Sequence, residues 1–143
     1  MRQYPALAGA LLLSLFLCSC GEVASGDPVL YPVSGRVVVD GKPAEGIVVW
    51  FHPLNHHRDP EAPRPRATTD ASGRFQLETE EGEPGAPAGQ YVATFLWPAT
   101  AGGKDRLAGA FAEPEESGFV AIVDESPVEL PPFALRLRMN RGR

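Results

Sequence analysis

Proline and glycine are spaced so closely along this chain that they limit the secondary structure it can form. The sequence contains 15 of each, and beyond residue 20 the longest stretch without either is residues 133–141. Proline inside a helix costs about 3 kcal/mol and glycine about 1 kcal/mol, and isolated helices shorter than about 12 residues are marginal. No long helix therefore fits beyond residue 20, and this part of the chain is predicted to be all-β.

Several segments alternate apolar and polar residues with the period of two that marks a half-buried strand. The pattern predicts strands over 33–39, 47–52, 74–79 and 133–139, with 119–123 as another candidate. Residues 91–96 are apolar on both faces and are predicted to form a central strand. Turn sequences at 40–43 and 70–73 separate some of these segments. Six or seven short strands joined by such turns are typical of a β-sandwich.

Three segments interrupt this pattern. Residues 21–32 are predicted to be a short tether, which at about 3.5 Å per residue spans roughly 40 Å. Residues 56–66 contain three prolines and are predicted to form an extended, solvated loop of polyproline character. Residues 99–117 are a long connection, in which Leu107 and Phe111 are predicted to cap one end of the core.

The N-terminal residues have the organisation of an export signal. Arg2 precedes an apolar run over 6–17, which is shorter than the roughly 20 residues that a membrane-spanning helix needs. The run ends in Leu17-Cys18-Ser19-Cys20-Gly21. This ending resembles the lipobox of bacterial lipoproteins, in which an aliphatic residue stands three places before the modified cysteine and a small residue directly before it. Cys20 fits that pattern and Cys18 fits it poorly.

The lipobox resemblance implies cleavage between Ser19 and Cys20, with lipid on the new N-terminus. Burying acyl methylenes contributes about 0.8 kcal/mol each, and two or more chains hold a protein stably at a membrane. Gly21 is not the aspartate that retains some lipoproteins at the inner membrane, so the resemblance points to the outer membrane, facing the periplasm or the surface. A plain secretory signal and an uncleaved anchor helix are the alternatives.

Removal of residues 1–19 would leave 124 of the 143 residues, with 12 basic and 18 acidic side chains and a formal net charge of −6. This length fits one domain, predicted over 33–143 behind a lipidated tether at 20–32. The acidic balance argues against nucleic acid as a partner. With Cys18 removed and Cys20 acylated, no thiol would remain for a disulfide or for redox chemistry.

A second resemblance rests on the turns. Four ordered motifs form it, namely 35–37 (GRV), 41–49 (GKPAEGIVV), 69–75 (TDASGRF) and 87–93 (PAGQYVA). They resemble the carboxypeptidase regulatory-like domain, which has a prealbumin-like (transthyretin-like) fold, a seven-stranded Greek-key β-sandwich. The resemblance runs from about Val33 to Phe95. It implies a stable module for adhesion, ligand contact or support of a neighbour, without a catalytic centre of its own.

This fold gives the motif residues specific roles. Gly46 and Gly73 are expected where a turn needs positive φ or a close approach to a neighbouring backbone. Asp70 is expected to accept hydrogen bonds from the backbone N–H groups of its own turn. Phe75 and Tyr91 are expected to be large anchors of the core.

The same fold also occurs in an enzyme, 5-hydroxyisourate hydrolase, which makes catalysis an alternative. That family ends in Tyr-Arg-Gly-Ser and places a histidine on its first strand. This chain ends in Asn140-Arg141-Gly142-Arg143, has no histidine over 33–39 and contains no Gly-X-Ser-X-Gly elbow. The chain is therefore predicted not to be an enzyme and to need no cofactor.

Two clusters invite a metal-binding interpretation. His52, His56 and His57 stand near two carboxylates, but zinc needs three or four converging ligands, and adjacent histidines of an extended loop point apart. Solvated loop histidines are therefore the favoured interpretation, with a metal site as the alternative. The second cluster is interpreted as a solvated strand end rather than a calcium site; it comprises Glu78, Glu80, Glu81 and Glu83.

Four side chains are candidates for ligand contact. Trp50 and Trp97 could stack on sugar rings, although packing in the core or on a sheet face is the favoured interpretation for both. Arg136 and Arg138 belong to a basic stripe that continues to Arg143. Such charges guard a terminal edge strand against aggregation, and contact with anionic polysaccharide or lipid head groups is the alternative.

The predicted function is that of a lipid-anchored, non-enzymatic protein of the cell envelope. It would act as a structural or interaction module, held at the membrane by its N-terminal lipid and in contact with envelope proteins or polysaccharide. The alternative is a surface protein that binds saccharide or peptide ligands.

Overall fold

The computed structural model describes residues 26–137, and this part of the chain is all-β. It contains eleven short strands and one four-residue helix, α1 (Pro114–Ser117). The strands are β1 (Leu30–Tyr31), β2 (Val33–Val39), β3 (Lys42–Pro43), β4 (Val48–Pro53), β5 (Arg66–Thr68), β6 (Arg74–Gln76), β7 (Ala86–Pro87), β8 (Gly89–Leu96), β9 (Phe119–Val123), β10 (Val128–Glu129) and β11 (Phe133–Leu135). Cys20, the segment predicted to be a signal and Arg138 lie outside the described residues.

The strands form two main sheets and one short ribbon. One sheet has four antiparallel strands in the order β5-β4-β8-β9. The other is built around β2, which pairs antiparallel with β3 and β6 and parallel with β10 and β11. The ribbon joins β1 to β7. The prediction that 91–96 is a central strand is confirmed, since β8 lies between two neighbours and is buried over 91–95.

The core lies between the two main sheets, and aromatic rings fill its centre. The ring centroid of Phe133 in β11 lies 5.2 Å from that of Phe95 and 6.4 Å from that of Phe51, and both of these residues belong to the four-stranded sheet. It also lies 5.6 Å from Phe119 and 6.2 Å from Phe75. Rings at these separations attract each other beyond the burial of their area. The two sheets therefore pack face to face in a sandwich-like arrangement.

The turn before β6 is built as the sequence predicts. Gly73 has a φ of 76°, and a Cβ placed there would lie 2.5 Å from the Val37 carbonyl oxygen. One Asp70 carboxylate oxygen accepts hydrogen bonds from the Ser72 hydroxyl and from the Ser72 and Arg74 N–H groups. These hydrogen bonds lower the pKa of Asp70 below its ordinary value, and the bond from the Ser72 hydroxyl has the largest effect. The roles expected for Gly73 and Asp70 are thus confirmed.

The long connection before β9 closes one end of the core, as predicted. Leu107 is fully buried and Phe111 packs against the core cluster. Asp105 shapes the connection, because its carboxylate accepts hydrogen bonds from the N–H groups of Trp97, Leu107 and Gly109 at 2.8–3.0 Å. A single side chain therefore replaces the backbone partners that this irregular segment lacks.

The ends of the chain differ from the predicted strands. The strand predicted over 133–139 ends at Leu135, because its partner β2 turns away at Asp40, whose φ is 50°. Beyond that point the Leu137 N–H donates to the Asp40 carboxylate instead of to a strand. At the other end, the predicted tether includes a strand, β1, that pairs with β7.

The proline-rich loop is not the extended segment that its composition predicts. Backbone hydrogen bonds fold it into successive turns. They run from the N–H of His56 to the carbonyl of Pro53, from that of Asp59 to the carbonyl of His56, and from that of Ala62 to the carbonyl of Asp59. The Arg64 guanidinium donates to the carbonyl oxygens of His57 and Asp59 and holds these turns together. The loop then leads into β5, which the sequence pattern did not predict.

Candidate interaction site

The side of the four-stranded sheet that faces away from the core is called the outer face below. Alternate residues of its strands project from this side, because successive side chains of a strand point to opposite faces. Its members are Val48, Trp50, His52, Arg66, Thr68, Gln90, Val92, Thr94, Leu96, Val120 and Ile122. Most of these are apolar, although the opposite side of the same strands already supplies the core.

The middle of the outer face is covered. Thr94 and Val92 are buried although they point away from the core. Beside them, His57 in the loop after β4 reaches Glu115 of α1, with 3.2 Å between the imidazole Nε2 and the carboxylate. Arg58 contacts the same carboxylate at 3.5 Å. The loop and α1 are thereby joined on this side of the molecule.

The edge of the outer face is open. Val120 and Ile122 of β9 keep 58% and 53% of their surface exposed, and Leu96 of β8 keeps 37%. No residue within 26–137 covers these side chains sufficiently to bury them, and large apolar residues that share one exposed face commonly mark an interaction site. Residues 119–123 were predicted only to form a strand. All five are apolar, and this apolar run on both faces of the strand is the signal that could have identified its outer side.

Trp50 lies at the other side of this face and is half-buried. The Arg66 guanidinium stands over its ring, 5.5 Å from the centroid, in a cation–π contact. Arg66 is also the cross-strand neighbour of Trp50 in the register of β4 and β5. The arginine therefore shields part of the indole face that a ligand would use.

Trp97 occupies a different place. It packs against the core cluster, and its indole N–H donates to the Glu45 carbonyl at 2.9 Å. Arg106 stands over its ring at 4.9 Å. Arg136 is exposed after β11, in the other sheet. The structure thus places Trp50, Trp97 and Arg136 at three separate positions.

The histidines do not converge. His52 bonds to Thr94 on the outer face through its Nε2, 2.8 Å from the hydroxyl oxygen, while His57 bonds to Leu54 and Glu115 and His56 is exposed. In the described range, 26–137, no three His, Cys, Asp or Glu side chains are grouped so that they could hold a metal ion. The acidic residues after Leu77 lie around a turn, in which the Glu83 N–H donates to the Thr79 hydroxyl.

The hydroxyl groups near titratable side chains have structural partners. Thr94 bonds to His52, but it is only 2% exposed, so no substrate reaches its oxygen. Burial raises the pKa of Tyr91 to about 12, and its hydroxyl donates to the Pro87 carbonyl at 2.7 Å. A hydroxyl with this pKa stays protonated near neutral pH. Tyr91 borders a groove of about 520 Å³ between the loop after β4 and the start of β8.

Burial also affects His52, whose pKa it lowers below the usual value of 6.5. Electrostatic interactions with Arg64 and with the protonated form of His57 act in the same direction, and Glu115 opposes them. Desolvation and like charges both disfavour the imidazolium form. His52 therefore remains neutral in the folded protein at a pH where the unfolded chain has begun to protonate it.

This shift predicts a pH dependence of stability. Above pH 6.5 His52 is neutral in both states and contributes no dependence. As the pH falls below 6.5 the unfolded chain binds the proton more readily, so the free energy of unfolding decreases until the lower pKa of the folded state is passed. Urea titrations between pH 7.5 and pH 5 should show a smaller decrease for His52→Gln than for the wild type. Parallel curves for the two proteins would contradict this explanation.

Comparison of the chain with models of known protein families finds no match, and neither does a search of curated proteins. Over residues 26–137, no helix combines the length and the hydropathy needed to cross a bilayer. The geometry of the outer face and the sequence at the N-terminus are therefore the observations that bear on function.

Proposed function

We propose that this protein is a lipid-anchored, non-enzymatic module of the bacterial cell envelope that contacts a partner through the outer face of its four-stranded sheet. Cys20 would carry the lipid, and the domain that follows would act as a carboxypeptidase regulatory-like module with a prealbumin-like Greek-key fold. The open row formed by Val120 and Ile122 is the observation that carries the interaction part of this proposal.

Two groups of observations support the resemblance to that family. The motifs at 41–49 and 69–75 occupy tight turns, in which Gly46 and Gly73 have φ values of 81° and 76°. Phe75 and Tyr91 are both buried in the core, as expected for the anchors that follow those turns. A sandwich-like domain with an exposed apolar edge fits a role in contact with a partner.

The alternative function is that of a surface protein that binds saccharide or peptide ligands, and the exposed edge of β9 is compatible with a peptide. A peptide can add to a sheet as a further strand, with backbone hydrogen bonds for affinity and side chains for specificity. Stacking of a saccharide would need a free aromatic face, and arginines stand over the rings of both Trp50 and Trp97. Of the two ligand classes, the exposed strand edge therefore favours the peptide.

One experiment in intact cells tests both the anchor and the contact. A photo-crosslinking residue is placed at position 122, and cells are fractionated after irradiation. We expect the protein in the membrane fraction with one discrete adduct. With Cys20→Ser, the amount of mature lipidated protein should fall by more than nine-tenths, because no cysteine remains there to be acylated. The crosslinked adduct should be lost as well. Mass spectrometry of the N-terminal peptide reports the lipid directly.

Cys18→Ser is the matched control, since it changes the neighbouring cysteine and leaves the lipobox pattern around Cys20 intact. It should preserve both the membrane fraction and the adduct. A second control places the crosslinker at Gln76, which is exposed on β6 in the other sheet. An equal adduct from that position, or an intact segment 1–19 in the mature protein, would refute the proposed function.

A further inference from the structure

The backbone of β9 has one edge without a partner in the described part of the chain. Among residues 26–137, β9 is the last strand of its sheet and pairs only with β8. The Leu54 N–H donates to the Gln90 carbonyl, so the even-numbered residues of β8 direct their backbone groups to β4. The backbone groups of the odd-numbered residues of β8 therefore point to the other side, towards β9. Phe95 follows this rule beyond the end of β9, because its N–H donates on that side to the Phe111 carbonyl in the preceding connection.

This alternation determines which groups of β9 face the open edge. In the register of the two strands, Phe119, Ala121 and Val123 stand opposite odd-numbered residues of β8 and use their backbone groups there. Val120 and Ile122 consequently direct their N–H and C=O groups away from the sheet. Their side chains are the exposed apolar pair of the outer face. The same two residues thus offer both backbone and apolar contacts.

Within β9 itself, no residue is of a type that usually prevents pairing. Native edge strands are protected by charged residues, proline, bulges or covering loops. β9 has the sequence Phe-Val-Ala-Ile-Val, without proline, charge or glycine. It pairs with β8 in an unbroken register over five residues. Such an edge is a risk for aggregation unless a partner occupies it.

The charges around β9 specify the chemistry of that partner. Residues 107–135 contain six carboxylates and no lysine or arginine. Glu113 and Glu116 precede the strand, Asp124 and Glu125 follow it, and all four are exposed. Glu115 contacts His57 and Arg58, whereas no ion pair within 26–137 involves these four. Both ends of the edge are therefore negative.

A second copy of the chain is disfavoured by the same charges. Antiparallel pairing of β9 with β9 of another copy would bring the acidic flank after one strand towards the acidic flank before the other. Like charges in this position repel. Basic residues on both sides of an incoming strand would instead meet carboxylates at both ends.

We propose that the free edge of β9 binds an extended peptide segment of a partner protein, with alternating apolar residues over Val120 and Ile122 and with lysine or arginine on both flanks. The segment adds a fifth strand to the four-stranded sheet. This inference rests on the proposed function, and it names the partner's chemistry and the strand that it contacts.

The test uses the full chain, labelled with nitrogen-15, in detergent micelles, and a synthetic peptide as the probe. The peptide has the sequence Lys-Lys-Thr-Val-Thr-Ile-Thr-Lys-Lys. At saturation, amide hydrogen exchange at Val120 and Ile122 should slow at least tenfold, because both N–H groups gain a hydrogen bond. Replacing the four lysines by glutamate should weaken binding at least tenfold at low salt, and 0.5 M salt should reduce that difference.

Controls on both molecules separate strand addition from unspecific contact. A probe methylated on alternate backbone nitrogens cannot complete the strand pairing and should give no protection. Ile122→Pro removes one outward N–H without removing a bond to β8 and should abolish protection, whereas Ile122→Thr keeps the N–H and should retain it. Retained thermal unfolding shows that the proline variant is folded.

Three results would overturn the inference. They are equal binding of the methylated probe, equal binding of the glutamate probe, and protection that rises with protein concentration without any probe, which identifies a second copy as the occupant. These outcomes differ from failure of the proposed function. If Cys20 carries lipid and position 122 still gives its adduct in cells, the contact on the outer face stands and only the strand addition fails.

Discussion

Replacing Phe133 by alanine is expected to lower the free energy of unfolding by about 3–5 kcal/mol. Its ring contacts aromatic rings of both sheets, with Phe95 and Phe51 on one side and Phe75 on the other. Truncation removes buried area and leaves a cavity between sheets whose strands are fixed by their ladders and cannot close over it. A domain of this kind is stable by only about 5–15 kcal/mol, so this loss is a large share of the total.

Urea denaturation of the two proteins measures the difference, and an unchanged slope shows that the comparison is valid. Ile122→Ala is the matched control, because it also truncates a large apolar side chain but one that is about half exposed. Its substitution should lower the free energy of unfolding by only about 0.5 kcal/mol. If the two substitutions lower the free energy of unfolding equally, packing of the aromatic rings is not the main contact that stabilises the two sheets against each other.

Much of the all-β architecture follows from the sequence because local chemistry decides it. Alternating burial along β2, from Val33 to Val39, repeats the alternation of its residues. The turn at Asp70 forms from contacts within five residues, so its side chain and Gly73 are sufficient to predict it. Such elements depend little on the rest of the fold.

Other elements depend on partners that are distant in the chain. β5 has only three residues and becomes a strand because β4 offers a free edge beside it. The strand at Phe133 stops where β2 turns at Asp40, almost a hundred residues earlier. No local pattern in either segment contains that information. Tertiary pairing overrides propensity at such positions.

The candidate site was missed for a related reason. Val120 and Ile122 have the same composition as core residues, and only the strand order shows that nothing within 26–137 covers them. The tryptophans and arginines attracted attention by residue type, yet Trp50 and Trp97 are held by contacts inside the domain. Residue type identifies groups that could bind a ligand, whereas exposure and the order of strands decide which of them are free to do so.

Gly73→Ala should destabilise the domain in two ways. The residue has a φ of 76°, a region that costs other L-residues about 1–2 kcal/mol. In addition, the new Cβ would lie 2.5 Å from the Val37 carbonyl oxygen, which belongs to the backbone of β2. That strand cannot move away freely, because Val37 also donates its N–H to the Gly73 carbonyl at 2.8 Å. Overpacking against fixed backbone adds about 1–3 kcal/mol, so the total loss should be about 2–5 kcal/mol.

Gly41→Ala separates the two contributions. Gly41 has a similar φ, 81°, but no atom lies within 4 Å of a Cβ placed on it. Its substitution should therefore cost only the backbone part, about 1–2 kcal/mol. Thermal and urea unfolding of both variants measure the difference, which reports the close approach of the Asp70 turn to β2. Equal losses would mean that β2 shifts to accommodate the methyl group, and the turn would then not fix the position of the strand on which the second sheet is built.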